Sequence, residues 1–122
     1  MMAVQVLAIT SDLFLQSRIT ELANSLGAKA KVVTTEEALI REANSTHPNL
    51  VILDLAALDY DPFSCAQELN TMIPQPRILA LFPHVRKDLK LRAEKVKIDY
   101  IVPNSAFLKT LKEVLEKEVR VK

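Results

Sequence analysis

The 122-residue chain holds one glycine, Gly27, and one cysteine, Cys65. A dinucleotide-binding fingerprint needs three glycines and a P-loop two, because backbone must pass close to phosphate. Both motifs are excluded. A lone cysteine cannot close an internal disulfide, which suits a reducing compartment. Cys65, His47 and His84 are too few soft ligands for a structural zinc site. Long apolar runs are also missing. The opening stretch MMAVQVLAIT has no basic flank and is closed off by Asp12. It is too short for a membrane span and lacks the form of a signal peptide. A soluble, cytoplasmic protein is the expectation.

What is present is ordinary for a folded domain. Hydrophobic residues make up 49%, charged residues 25%, and the net charge is +1. That balance argues against wholesale disorder, and the length predicts one domain over residues 1–122. A near-zero net charge gives no global pull toward nucleic acid or membrane.

Short apolar runs alternate with segments of helical period. Val4–Ile9, Lys31–Val33, Leu50–Leu53, Arg77–Leu81 and Tyr100–Val102 read as strands. The first, third and fourth are nearly continuous in apolarity, as in strands buried on both faces. Between them, Phe14, Leu15, Ile19, Leu22, Ala23 and Leu26 recur at helical spacing, with Gly27 at the C′ position. Thr34 and Glu37 have the spacing of a capping box for a second helix reaching about Ala43. Phe63–Met72 and Arg86–Val96 read as the third and fourth helices. Asn104 or Ser105 caps a fifth, with Leu108, Leu111, Leu115 and Val119 on its buried face. Five strand–helix units in this order predict an α/β fold. It is a doubly wound parallel sheet of flavodoxin-like order 2-1-3-4-5. Ligands in such folds meet the carboxyl ends of the strands. Thr10, Ser11, Asp12, Asp54, Phe82 and Pro103 are therefore the residues to watch.

The chain resembles the response-regulator receiver domains, the CheY-like family. The likeness spans essentially the whole sequence. It is carried by VLAITSD at 6–12, LVILDLAALDYDPF at 50–63, RILALFP at 77–83 and DYIVPNSAF at 99–107. In that family an acidic pair after the first strand helps hold Mg²⁺, and an aspartate ending the third accepts a phosphoryl group. A hydroxyl residue after the fourth and a lysine after the fifth contact its oxygens. By this resemblance Asp54 takes the acceptor position. The acidic pair falls on neutral Thr10 and Ser11, the hydroxyl on Phe82 and the lysine on Pro103. Tyr100 takes the place of the aromatic that changes rotamer in many receivers. The usual proline and glycine of the loop after the third strand fall on Leu58 and Pro62.

Phosphoryl transfer depends on positioning and on neutralising charge at the transferring oxygens. Losing one oxyanion-type donor typically costs about 3 kcal/mol in barrier. The resemblance therefore implies a degenerate, or pseudo-, receiver. It would signal through protein contacts without phosphorylation, catalytic turnover or a cofactor. One alternative keeps Asp54 as an acceptor served by a sensor histidine kinase, with Asp12 helping to hold Mg²⁺. Another is a small flavodoxin-like enzyme or nucleotide binder. The bland reading of Asp54 is a strand-end carboxylate accepting backbone N–H bonds, and that of Asp12 an N-cap. Thr10 and Ser11, freed of negative charge, would suit an anion at a helix N-terminus. Phe82 is expected to fill the space a phosphoryl group would occupy. Cys65, near a helix start, reads as an inert apolar residue or a thiol of somewhat lowered pKa.

Charge is unevenly spread. Residues 1–82 carry five basic and nine acidic side chains, residues 83–122 eleven and six. Arg86, Lys87, Lys90, Arg92, Lys95 and Lys97 concentrate the excess around the fourth helix. They predict an interface for an acidic protein or a second copy on the face of the fourth helix, fifth strand and fifth helix. Few aromatics accompany the lysines, so nucleic acid is not the expected partner.

Overall fold

The computed structural model describes residues 3–121. The strands are β1 (Gln5–Ile9), β2 (Lys29–Val33), β3 (Leu50–Asp54), β4 (Arg77–Phe82) and β5 (Tyr100–Pro103). The helices are α1 (Leu13–Ser25), α2 (Glu36–Thr46), α3 (Pro62–Leu69), α4 (Lys87–Glu94) and α5 (Phe107–Val121). All strands run parallel in the order β2-β1-β3-β4-β5, as the alternating pattern predicts.

Period-two alternation sends neighbouring strand residues to opposite faces. Val6, Ala8, Leu50, Ile52, Leu79 and Leu81 pack with Ile19 and Ala23 of α1 and with Phe107, Leu111 and Leu115 of α5. On the other face Leu7, Ile9, Val51, Leu53 and Ile78 meet Leu39 and Ala43 of α2 and Cys65, Ala66 and Leu69 of α3. Further along that face, Ala80 and Phe82 pack with Leu55, Phe63 and, from α4, Leu89 and Ala93. Two-sided cover explains the unbroken apolar runs of β1, β3 and β4.

The structure corrects several local expectations. Thr35, not Thr34, caps α2, its hydroxyl accepting from the Ala38 N–H at 3.1 Å. Asp61 caps α3, which begins at Pro62. Asn104 and Ser105 do not cap α5 but lie in a 3₁₀ turn over Asn104–Ala106. That turn delays α5 and shifts its phase. Phe107 and Val114 join Leu111 and Leu115 inside, while Leu108 and Val119 remain 36% and 38% exposed. Phe14 is likewise outside, 67% exposed, with Arg18 over its ring at 4.9 Å.

Two helix ends use left-handed backbone. After α1 the Ala28 N–H bonds to Ala23 O and the Gly27 N–H to Asn24 O, with Gly27 at φ 78°. This is a Schellman motif. After α2 the left-handed residue is His47, at φ 49°. A Cβ on Gly27 would meet nothing within 4 Å, so only backbone conformation is at stake there. Gly27→Ala is expected to lower stability by about 1 kcal/mol, and His47→Gly to raise it by up to about 1 kcal/mol, in urea denaturation. Losses at both positions would contradict this account of the helix ends.

Candidate functional site

Parallel strands bring all their carboxyl ends to one edge. There Asp54 closes β3, and its half-buried carboxylate accepts the Ala56 N–H through Oδ1 at 3.0 Å. Its backbone N–H donates to the Tyr60 hydroxyl at 2.8 Å. That hydroxyl also lies 3.3 Å from Ile9 O and 3.2 Å from Asp54 O, either of which accepts its proton. The β1–β3 register runs from Val6↔Leu50 to Ala8↔Ile52. Tyr60 therefore bridges the two strands just where their own pairing stops. The tyrosine is buried, and burial pushes its hydroxyl above the ordinary phenol range. The sequence reading passed over Tyr60. The available signal was an aromatic set among acids just before a helix-starting proline.

Burial also raises the Asp54 carboxyl above its usual value. The nearby charges of Asp12 and Asp59 push the same way, against the opposing Ala56 N–H. The charges that set this shift are both negative. Thr10 is buried, and its Oγ1 accepts the Asp12 N–H at 3.0 Å. Ser11 Oγ donates to Asp59 Oδ2 at 3.2 Å. Asp12 Oδ1 accepts from Phe14 N at 2.9 Å and Leu15 N at 3.2 Å, so the N-cap role is formed. Magnesium prefers near-octahedral oxygen ligands, commonly one or two carboxylates with phosphate and water. Here Asp12 caps α1 through Oδ1 and Asp59 accepts from Ser11 through Oδ2, while the acidic pair of the resembled family is replaced by Thr10 and Ser11. Among the described residues no group of three His, Cys, Asp or Glu is placed to hold a metal ion. This donor set fits Mg²⁺ poorly.

Phe82 is buried in the cluster beneath α4. It sits opposite Pro103 in register, and Pro103 occupies the lysine position of the resembled family. Tyr100 lies on the other sheet face, half-buried against the α1–α5 core, its hydroxyl accepting from Arg77 Nη1 at 3.4 Å. Phe82 and Tyr100 are thus separated by the sheet.

The six basic residues of the α4 region differ in their local partners. Arg86 makes two 2.9 Å hydrogen bonds to Asp88. Arg92 stacks 4.0 Å above the Phe63 ring, toward α3. Lys97 Nζ donates to Gln75 Oε1 at 3.2 Å, and Lys95 is the C-cap of α4. Lys87 and Lys90 line an open groove with Phe82, His84, Leu91, Glu94 and Pro103. Cys65 is also corrected. Burial, with Glu36, Asp61 and Glu68 nearby, pushes its thiol up to about 12 instead of lowering it.

With this geometry in view, the fold was compared with known proteins. No family model matches the sequence, and no curated protein matches it. Solved structures do match. A response regulator from Thermotoga maritima superposes with TM-score 0.80 at 14% identity, covering 98% of this chain and 99% of that one. A response regulator receiver domain protein from Clostridium thermocellum gives 0.80 at 15%, covering 96% and 94%. NtrX from Brucella abortus gives 0.80 at 14% over 98% of this chain, which spans 28% of that protein's chain. The chain therefore has the flavodoxin-like receiver fold of response regulators.

Two expectations follow for the site. Tyr60→Phe removes the acceptor of the Asp54 N–H and is expected to cost about 1–3 kcal/mol in thermal or urea unfolding. An unchanged midpoint would show that the hydroxyl bridge is dispensable. Asp54 holds its proton more tightly in the folded than in the unfolded chain. Its contribution to stability therefore falls as pH rises from the ordinary carboxylate range through its raised value. Asp54→Asn should accordingly raise the melting temperature at neutral pH, and the gain should vanish in acid.

Proposed function

We propose that this chain is a receiver-type signalling module that works through protein–protein contacts and does not depend on phosphorylation of Asp54. The observation that carries the reading is the set of groups at the strand ends. An acyl phosphate on Asp54 would place its charge among carboxylates. The acidic pair of the resembled family is replaced by neutral Thr10 and Ser11, and Phe82 and Pro103 offer neither a hydroxyl nor an ammonium. Electrostatic stabilisation is the main contribution a protein makes to phosphoryl transfer, and these side chains supply little of it. The trigger for a Tyr100 swing is missing as well, because residue 82 is apolar and faces away from it. The α4 side offers exposed side chains for a partner.

The test is direct. Purified protein is mixed with Mg²⁺ and acetyl phosphate, and intact mass and amide NMR spectra are recorded, with Asp54→Asn as control. The expected outcome is no adduct and no Mg²⁺-dependent shift around Asp54. A phospho-adduct that disappears in the control would overturn the reading and make Asp54 a working acceptor.

A further inference from the structure

β2 lies at one end of the sheet and has a strand partner on one side only. The Lys29 N–H bonds to Val4 O at 2.8 Å and the Thr10 N–H to Val33 O at 3.0 Å. In a parallel ladder each residue turns its N–H and C=O to the same side, and the side alternates along the strand. Lys29, Lys31 and Val33 therefore bond toward β1, and the N–H and C=O of Ala30 and Val32 point outward. These four groups form an open half-ladder. The side chains divide in the same way. Ala30 and Val32 are half-buried on the α1 side with Leu22 and Leu26. Lys29 and Lys31 are exposed on the α2 side. Lys31 pairs with Glu42 of α2, whereas Lys29 forms no ion pair among the described residues. A cleft of about 240 Å³, lined by both lysines, Thr46 and Pro48, leaves room beside this stretch of the edge.

From this we infer that β2 accepts an added strand from a partner protein, an extended segment in which acidic and apolar residues alternate. Its backbone completes the ladder at Ala30 and Val32. Its carboxylates meet Lys29 and Lys31 on the α2 side, and its apolar side chains continue the surface of Ala30 and Val32 on the other. In strand addition main-chain bonds supply affinity and alternate side chains supply specificity. This names a partner chemistry for the protein-contact reading above and rests on it. The surface is the sheet edge opposite β5. Charge selects the occupant. Antiparallel pairing of two β2 strands about a two-fold axis would put the lysines of both copies on one face, where like charges destabilise the pair. The lysines that oppose self-pairing are the ones that favour an acidic strand. A nucleic-acid backbone would use the lysines but leave the amide edge unpaired.

The probe is a short capped peptide of alternating Glu and Val, with its Gln-for-Glu analogue tested in parallel. Binding is followed by fluorescence anisotropy, amide NMR and hydrogen exchange. The peptide should slow exchange of the Ala30 and Val32 N–H groups and leave those of Lys29 and Lys31, already bonded toward β1, little changed. Lys29→Glu should weaken it by at least about tenfold, while Lys109→Glu on α5 leaves it unchanged. Ala30→Pro removes one outward N–H without touching the bonds to β1, and should abolish the protection at Val32. Unchanged melting curves will show that the variants fold, and Lys29→Glu decides the matter if Ala30→Pro does not. No peptide binding, equal binding of the Gln analogue, or binding without slowed exchange at Ala30 and Val32 would overturn the inference. A dimer in sedimentation that Ala30→Pro disperses would replace the partner strand with a second copy. No Mg²⁺ or phosphodonor is present, so failure here removes only the added strand. An acetyl phosphate adduct on Asp54 would remove only the phosphorylation-independent reading.

Discussion

Burial of the central strands on both faces is the constraint on which the rest of this structure depends. β1, β3 and β4 are apolar along their length because helices cover both sides of them. Polar chemistry is thereby driven to the sheet edge where the strands end. The same constraint creates a local difficulty, because parallel strands splay as they leave the sheet and expose backbone groups that still need partners. At the β1–β3 gap the Tyr60 hydroxyl meets that need. It accepts from Asp54 and lies within reach of two carbonyls from a single buried atom. A side chain from the following loop thus completes the ladder and fixes Asp54 at the same time.

Fixing Asp54 does not equip it for chemistry. A carboxylate that takes on a phosphoryl group needs nearby positive charge, and the charges that influence Asp54 most are negative. The hydroxyls beside it take part in local structure. Thr10 supports the turn into α1, and Ser11 ties that turn to Asp59. Around Asp54 these side chains form a knot of loop contacts. That is a structural use of positions which in the resembled family serve charge neutralisation.

The sheet order and the placing of Asp54 were legible in the sequence because both follow from coarse periodicity and from the order of motifs. Gly27 was legible because the left-handed end of α1 demands it. What escaped depended on phase or on distant geometry. The 3₁₀ turn at Asn104–Ala106 rotated α5, so Leu108 faced out and Phe107 in. No local signal distinguishes such a turn from an ordinary cap. Tyr60 escaped because its partners, Ile9 and Asp54, lie on two different strands. The basic cluster looked uniform by composition, yet Asp88 and the Phe63 ring divert two of its arginines. Charge counts do not resolve direction.

The edge site and the α4 groove share a single packed cluster. Leu55 and Phe63, which flank the loop after β3, pack with Phe82, Leu89 and Ala93. Phe82 is also the groove's floor. Coupling between two sites requires an element with two arrangements that each site biases differently. A close-packed cluster around a buried phenylalanine resists such a second arrangement, since rotating the ring would open a cavity costing several kcal/mol, roughly 3–5 for a lost aromatic. With Phe82 in place the packing between the β3 loop and α4 is held in one form.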